Sequence, residues 1–304
     1  MRKSIWILTV LLIFFVSCIG KIPSDLEKNA PTSAIVLTST PILATETAVP
    51  TATPFPDFGR AVSAVFLKDN QPLEVYENPE VNSNPRLQLS PQASGLKTTG
   101  KEQWVNNAIW IEIEDLQGGR GWVNSGYLTQ TISPNDFCQD PAAKQVLDKL
   151  LQAINDQDGN ALMNLTSKIH GLHIRYQWQN EEVVIPYSDK LAEIFTSQES
   201  YVWGYDRTQN KNVQGSFIEV IVPSIKLVTG DGVKLCNTLE QGIAADWSNG
   251  YIEWPPEYIN LNYYALYHQA PEEDALNWRT WAFGMEKINE EYYITTLVQY
   301  KWGY

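Results

Sequence analysis

Positively charged residues are scarce in this chain of 304 residues, which has 22 Lys and Arg against 35 Asp and Glu and a net charge of −13. Proteins that bind nucleic acid need clustered Lys and Arg to neutralise phosphates, so this balance argues against a nucleic-acid partner. It also disfavours electrostatic adhesion to anionic lipid headgroups. Attachment to a membrane would have to come from an apolar segment or a lipid.

The N-terminal apolar run is short. It covers residues 5–16 and is interrupted only by Thr9, whereas a spanning helix needs roughly 20 apolar residues. Arg2 and Lys3 precede the run and small residues lead into Cys18, which is the layout of a secretory signal. The segment Phe-Val-Ser-Cys resembles a bacterial lipobox. The resemblance implies a lipoprotein signal peptide over residues 1–18 and lipid attachment at Cys18; an ordinary cleaved signal and an uncleaved anchor are the alternatives.

Cysteine is rare as well, with three residues in the whole chain. Once Cys18 is lipidated, only Cys138 and Cys236 remain, an even pair in an oxidising compartment. They predict one disulfide that closes a loop of nearly a hundred residues, worth about 4–5 kcal/mol in the chain-entropy model. The alternative is a pair of buried free thiols.

Aromatic residues are almost absent from the segment that directly follows the signal. Residues 20–56 contain six prolines, seven threonines and a single aromatic, Phe55. Such a composition offers little from which to build a core. We therefore expect a Thr/Pro-rich linker over residues 19–58.

Short β-rich runs broken by Asn, Pro and Gly follow the linker and predict strands. The runs cover residues 62–67, 73–76, 110–114 and 121–123. The sequence Trp110-Ile-Glu-Ile-Glu-Asp alternates apolar and charged residues, which is typical of a half-buried strand.

The order Trp-x-Ile, a Gly-rich turn, Gly121-Trp122-Val123 and Tyr127-Leu128 resembles the bacterial SH3 (SH3b) family. The resemblance implies an all-β, strongly bent SH3-like barrel over residues 59–130, with Trp122 and Tyr127 as candidate ligand-binding residues. SH3b modules bind peptidoglycan peptides or serve as spacers and docking surfaces. The family's Asn-Val-Arg-Ser-Gly-Pro segment appears here only as Leu73-Glu-Val-Tyr-Glu-Asn-Pro79, without its arginine and glycine.

Helical patterns begin after Cys138. Asp140 and Pro141 suit the start of a helix, and an apolar face runs from Val146 to Ile154. Shorter helices are predicted at 161–165, capped by Asp158, and at 188–195. The rest is strand-like, including 216–228, 259–267 and a terminal hairpin of 278–288 and 292–302. Residues 138–304 therefore predict an α+β domain, with helices on a curved antiparallel sheet, and the element order resembles the NTF2-like fold.

Catalytic and metal-binding motifs are missing. Cys138 precedes a helix and histidines follow it, yet the sequence context of a cysteine peptidase is absent. His170 and His173 lie three residues apart, a spacing that points to opposite faces of a strand, so we interpret them as polar residues at a domain surface. Glu219 and Asp246 are unremarkable candidates for a carboxylate pair. We expect no enzyme activity, cofactor or metal.

Tryptophan is abundant in the second half of the chain, and aromatic rings can stack on sugar faces, although most such residues belong to the core. Those nearest to loops are Trp203, Tyr205 and Trp247, which we take as candidate ligand-binding residues. The chain is thus predicted to be a lipid-anchored extracytoplasmic protein that binds peptidoglycan, a glycan or a partner protein. The alternatives are a carboxylate-dependent polysaccharide hydrolase and an NTF2-like pocket for a small ligand.

Overall fold

The structure is a computed structural model. Its first part consists of β-strands, and its second part consists of helices and strands. The structure describes residues 61–68, 71–80, 84–114, 118–206, 209–239 and 253–302. The predicted signal peptide with Cys18 and the predicted linker therefore lie outside the described residues. In the described part of the chain, no helix has the length and apolarity needed to cross a bilayer.

The β-rich region, residues 61–130, contains seven strands in its described part. They are β1 (Ala61–Ala64), β2 (Leu73–Val75), β3 (Leu87–Leu89), β4 (Leu96–Val105), β5 (Ala108–Glu114), β6 (Arg120–Asn124) and β7 (Leu128–Gln130). Five of them form an antiparallel sheet in the order β6-β5-β4-β1-β7, while β2 and β3 form a separate hairpin. The sheet is open in the described residues because β6 and β7 are its edges, so a closed barrel stays a prediction.

Turns set the shape of this sheet. Asn106 and Asn107 both have positive φ and join β4 to β5 through a two-residue turn, the geometry that suits the twist of paired strands. The register of β4 shifts between Thr98 and Glu102, beside Gly100, whose φ is +81°. Such a bulge bends a strand, so β4 can pair with β1 at one end and β5 along the rest.

The α+β region, residues 134–302, begins with three helices. The helices of the region are α1 (Pro134–Gln139), α2 (Pro141–Asp156), α3 (Gly159–Leu165), α4 (Asp189–Ala192) and α5 (Phe217–Thr229). The Asp140 and Asp158 side chains accept hydrogen bonds from Ala142 and Ala161 and cap α2 and α3, so the predicted starts of these helices are confirmed. The α2 face of Leu147, Leu150 and Ile154 is buried.

The strands of this region form one large sheet and a separate hairpin. They are β8 (Leu172–Arg175), β9 (Val183–Ile185), β10 (Tyr201–Asp206), β11 (Lys211–Gly215), β12 (Val233–Cys236), β13 (Asn262–His268), β14 (Arg279–Ile288) and β15 (Glu291–Lys301). The large sheet has the order β12-β13-β14-β15-β8-β9, and only β15 and β8 pair in parallel. The β10–β11 hairpin forms a separate two-stranded sheet. The α+β prediction and the terminal hairpin are confirmed.

The predicted strand at residues 216–228 is wrong, because this segment is α5. Ser216 and Glu219 form a capping box at its start, which satisfies backbone N–H groups that a helix leaves open. Phe217, Ile221 and Ile225 recur every four residues and are buried, so the β-branched residues serve a helical face. Pro223 lies inside the helix.

The large sheet is buried on both faces. Trp281, Phe283 and Leu297 pack with the helices, whereas their neighbours Ala282 and Val298 face a second cluster that includes Trp254 and Tyr258. This division follows the alternation of side chains along a strand. The two clusters account for most of the large apolar side chains in the region.

Cys138 and Cys236 form the predicted disulfide, with their Cα atoms 5.8 Å apart. Cys138 lies in α1 and Cys236 ends β12, an edge strand of the large sheet. The bond therefore ties the first helix to the far edge of the sheet.

The two regions share cores. Ile169, Ile288 and Tyr293 of the α+β region pack against the core of the β-rich region. In return, Val65 and Phe66 pack with the second cluster of the α+β region. Backbone hydrogen bonding continues across the junction, since Phe66 N–H donates to the Glu257 carbonyl at 2.8 Å. The described residues thus belong to a single compact unit.

Candidate functional site: an aromatic groove

A groove of about 330 Å³ lies on the β-rich region, beside the β2–β3 hairpin. Its lining comes from the chain after β1, from β2, from β5 and from the turn before β7, and consists of Leu67, Gln71, Pro72, Glu74, Tyr76, Trp110, Asn124 and Tyr127. An antiparallel bridge between Tyr76 and Trp122 holds the hairpin against β6. The groove therefore forms where a hairpin docks onto the edge of the sheet.

Aromatic rings form the floor of this aromatic groove. The rings of Tyr76 and Trp110 meet edge to face, with centroids 5.6 Å apart and an interplanar angle of 86°, a favourable geometry for an aromatic pair. Trp122 is buried in the same cluster as both rings and is not among the lining residues. Tyr127 is 43% exposed at the other side. The groove thus offers a rigid aromatic surface with one accessible ring.

A short 3-10 helix, Ser125–Tyr127, positions the exposed ring. The Asn124 side chain accepts a hydrogen bond from Gly126 N–H at 2.9 Å and caps this helix. The cap fixes the chain just before Tyr127, so the tyrosine side chain is presented beside Asn124 at the groove.

Glu74 gives the groove a negative charge. Its carboxylate accepts a hydrogen bond from the Tyr76 hydroxyl. Burial raises the pKa of Tyr76 to about 12, and the hydrogen bond and charge of Glu74 add to the shift. Tyr76 therefore stays protonated and donates to one oxygen of Glu74. A carboxylate can accept more than one hydrogen bond, so Glu74 can also pair with an ammonium group.

The chemistry of this lining is that of a binding site. Aromatic rings stack on sugar or apolar faces, amides make orienting hydrogen bonds, and a carboxylate binds an amine. No histidine, cysteine, serine or threonine is among the described lining residues, so they include no nucleophile paired with a base.

The structure brings part of the predicted site together. Tyr127 lines the groove, and Trp122 is buried in the same cluster as Tyr76 and Trp110. The sequence did not lead us to predict three other lining residues, Tyr76, Trp110 and Glu74. The sequence did contain a pattern for two of them, because residues two apart on a strand, such as Glu74 and Tyr76, share a face.

The other candidate binding residues lie elsewhere. Trp203 is fully buried, and its indole N–H donates to the Gly215 carbonyl at 3.0 Å, so its ring offers no face to a ligand. Tyr205, on the same strand, is 40% exposed but is not part of the groove. Trp247 lies outside the described residues.

The candidates for catalysis have structural roles where the structure describes them. Cys138 is bonded to Cys236 and has no free thiol. The Glu219 carboxylate accepts hydrogen bonds from Ser216 N–H and Oγ, which lower the pKa of the carboxyl. Asp246 lies outside the described residues.

The interpretation of His170 and His173 as surface residues is wrong. Both rings are buried, and their Nδ1 atoms lie 2.9 Å from Glu286 and Glu182, respectively. Both pack against the ring of Phe66. The sequence spacing gave no indication of this arrangement, because Phe66 and Glu286 are distant along the chain. In the described part of the chain, no cluster of three or more His, Cys, Asp or Glu side chains is placed to hold a metal.

Two other cavities are larger than the groove. One, of about 580 Å³, runs between α2, α3 and the β14–β15 turn. The second, of about 480 Å³, lies at the junction of the two regions, next to Lys68, Arg175, Glu182 and Glu257. In this junction cavity Lys68 pairs with Glu182 and Arg175 with Glu257, so its charges are largely satisfied within the protein.

Comparisons of the chain with protein-family models, with curated proteins and with solved structures found no match. The function is therefore inferred from the site itself.

Proposed function

We propose that this protein is anchored by a lipid at Cys18 on the extracytoplasmic face of the cell membrane, where it binds a wall glycopeptide through the aromatic groove without catalysing a reaction. The observation that carries the proposal is the groove itself. Its aromatic floor, exposed Tyr127 and single carboxylate suit a ligand that combines a sugar or apolar face with an amine.

The architecture of the β-rich region supports an SH3b-like module. The strand order β6-β5-β4-β1-β7, the bulge in β4 and the 3-10 helix before β7 agree with a small, strongly bent sheet. The β2–β3 hairpin bridges to β6 through Tyr76 and Trp122, and the groove lies beside this hairpin.

The order of elements in the α+β region supports an NTF2-like fold. Three helices come first, and a long sheet follows that is antiparallel except for the β15–β8 pair. Trp203, Phe217 and Trp281 fill the space between the helices and the sheet. The binding role is therefore assigned to the groove, and the α+β region is assigned a supporting role as the platform on which the β-rich region packs.

The experiment is an isothermal calorimetric titration of the full mature chain with soluble peptidoglycan fragments. Tyr127→Ala removes the exposed ring and should weaken binding about fivefold or more, since an aromatic contact contributes on the order of 1 kcal/mol or more. Tyr205→Ala is the matched control, because it removes an equally exposed tyrosine from a different surface and should leave the affinity unchanged.

Glu74→Gln separates the two parts of the proposed ligand. It keeps the shape of the groove and removes its charge, so fragments with a free amine should bind less tightly while N-acetylated fragments are unaffected. Equal binding by the wild-type protein and Tyr127→Ala would contradict the groove as the site. Loss of binding in Tyr205→Ala alone would move the site to the β10–β11 hairpin.

A further inference from the structure

The ring of His173 lies between two hydrogen-bond acceptors. Nδ1 is 2.9 Å from Glu182 Oε2, and Nε2 is 3.1 Å from the carbonyl oxygen of His170. A carbonyl oxygen can only accept. The Nε2 atom therefore has to carry a proton for this contact to be a hydrogen bond.

Glu182 is ionised in this setting. Burial opposes ionisation, but the Lys68 ammonium contacts Glu182 Oε1 and the Tyr258 hydroxyl contacts Oε2, and the pKa of the Glu182 carboxyl is lowered to about 2. Burial also raises the pKa of Tyr258 well above its usual range, so the Tyr258 hydroxyl donates to Glu182. An ionised carboxylate can only accept, and Nδ1 of His173 therefore carries a proton as well.

His170 provides the contrast. Its Nδ1 atom lies 2.9 Å from Glu286 Oε1, while its Nε2 atom has no hydrogen-bond partner in the described residues. A neutral ring with its proton on Nδ1 satisfies the one contact it makes. Of the two buried histidines, only His173 has a hydrogen-bond pattern that demands two protons.

The charged pair joins the two regions. Lys68, just after β1, lies 2.5 Å from the second oxygen of Glu182. The Phe66 ring stacks on His173 with centroids 4.2 Å apart and an interplanar angle of 22°, which places an aromatic face against a cation. The β-rich region is thus held by a ring on one side of the pair and by an ammonium group on the other.

Other ionisable groups surround this pair on every element packed against it. They are Lys68 after β1, His170 before β8, Arg175 on β8, Glu182 before β9, Glu257 and Tyr258 at the 3-10 helix Pro256–Tyr258, and Glu286 on β14. Arg175 is neutralised by Glu257. The charge that His173 meets directly is the Glu182 carboxylate.

We propose that His173 is a buried imidazolium that clamps the β-rich region onto the α+β region. A neutral His173 would turn a lone pair toward either Glu182 or the His170 carbonyl, and two acceptors facing each other repel.

The clamp reaches the aromatic groove through Leu67. This residue lies between Phe66 and Lys68 and lines both the groove and the junction cavity. An effect of the clamp on ligand binding in the groove rests on the proposed function, whereas the clamp itself does not. The test of the clamp therefore uses no ligand.

The first measurement is the protonation of the histidine rings by long-range ¹⁵N–¹H NMR on the wild-type protein. The chain has three histidines, and the half-exposed His268 is an internal reference. At about pH 7 we expect both His173 nitrogens to show the protonated signature. A neutral His173 ring under these conditions would overturn the proposal.

The second measurement is hydrogen exchange at the Phe66 amide, which donates to Glu257 across the junction. After correction for the intrinsic rate, its exchange at about pH 7 should be at least about tenfold faster in His173→Gln than in the wild type, and His170→Gln should accelerate it less. An unchanged rate in His173→Gln, or the same acceleration in both variants, would show that the histidines act only through packing.

Discussion

The two regions of the molecule handle polar groups differently. The β-rich region has an apolar core that includes Val62, Leu73 and Ile111, buries the Glu112 carboxylate beside Lys101, and carries an aromatic groove at its surface. The α+β region buries two carboxylates against histidines, as Glu182 and Glu286 show. The first region thus combines a buried carboxylate with an open groove, whereas the second places its carboxylate–histidine contacts in the interior.

The regions also differ in how they are stabilised. The α+β region has a large core and a disulfide, whereas the smaller core of the β-rich region is completed by Ile169, Ile288 and Tyr293 from its neighbour. We therefore expect the β-rich region to depend on the α+β region for its stability.

Of the changes that test this difference, removal of the disulfide should have the largest effect on the free energy of unfolding. The Cys138→Ala/Cys236→Ala variant loses a cross-link with a sequence separation of 98 residues, which should lower the free energy of unfolding by about 4 kcal/mol. Chemical denaturation followed by far-UV circular dichroism measures this change. Both regions should unfold in one transition, and a β-rich region that stays folded after the α+β region has melted would contradict the dependence.

Ile288→Ala tests the shared core directly. Ile288 belongs to β14 but is buried in the core of the β-rich region, and a large-to-small change there should cost about 2–4 kcal/mol. Hydrogen exchange should show the greater loss of protection in β1 and β5 rather than in the helices. Ile259→Ala is the control, because Ile259 is exposed and should change stability little.

Acid should weaken the junction to a smaller extent. The pKa of Glu182 falls from an ordinary 4.5 to about 2 in the fold, so its contribution is complete above about pH 4.5 and is lost as pH falls toward 2. The shift corresponds to at most about 3 kcal/mol, less any screening by water. Denaturant unfolding between about pH 6 and about pH 3 should show this loss in the wild type and a weaker one in Glu182→Gln. Equal acid dependence in both proteins would assign the effect to other carboxylates.

Local features were predictable because each depends on neighbours in sequence. Asp140 and Asp158 signal helix starts, and the paired cysteines indicate the disulfide. The capping box of Ser216 and Glu219 was also present in the sequence, but the β-branched residues between 217 and 228 were given more weight. In this segment the burial of one helical face outweighed the strand propensity of the β-branched residues.

Features that depend on distant residues could not be predicted. The groove needs β2, β5 and the turn before β7 to meet, and Tyr76 and Trp110 are brought together only by the docking of a hairpin. The burial of His170 and His173 depends on Phe66 and on carboxylates from other elements. No spacing within one segment encodes such encounters.

The backbone of Phe66 has a consequence for how the two regions would come apart. Its φ of 60° lies in the left-handed region, which for a residue other than glycine costs about 1–3 kcal/mol. Contacts with the histidines and Tyr258 hold it there. If the two regions separated, Phe66 could relax into an ordinary backbone conformation, and docking them again would have to restore its left-handed φ.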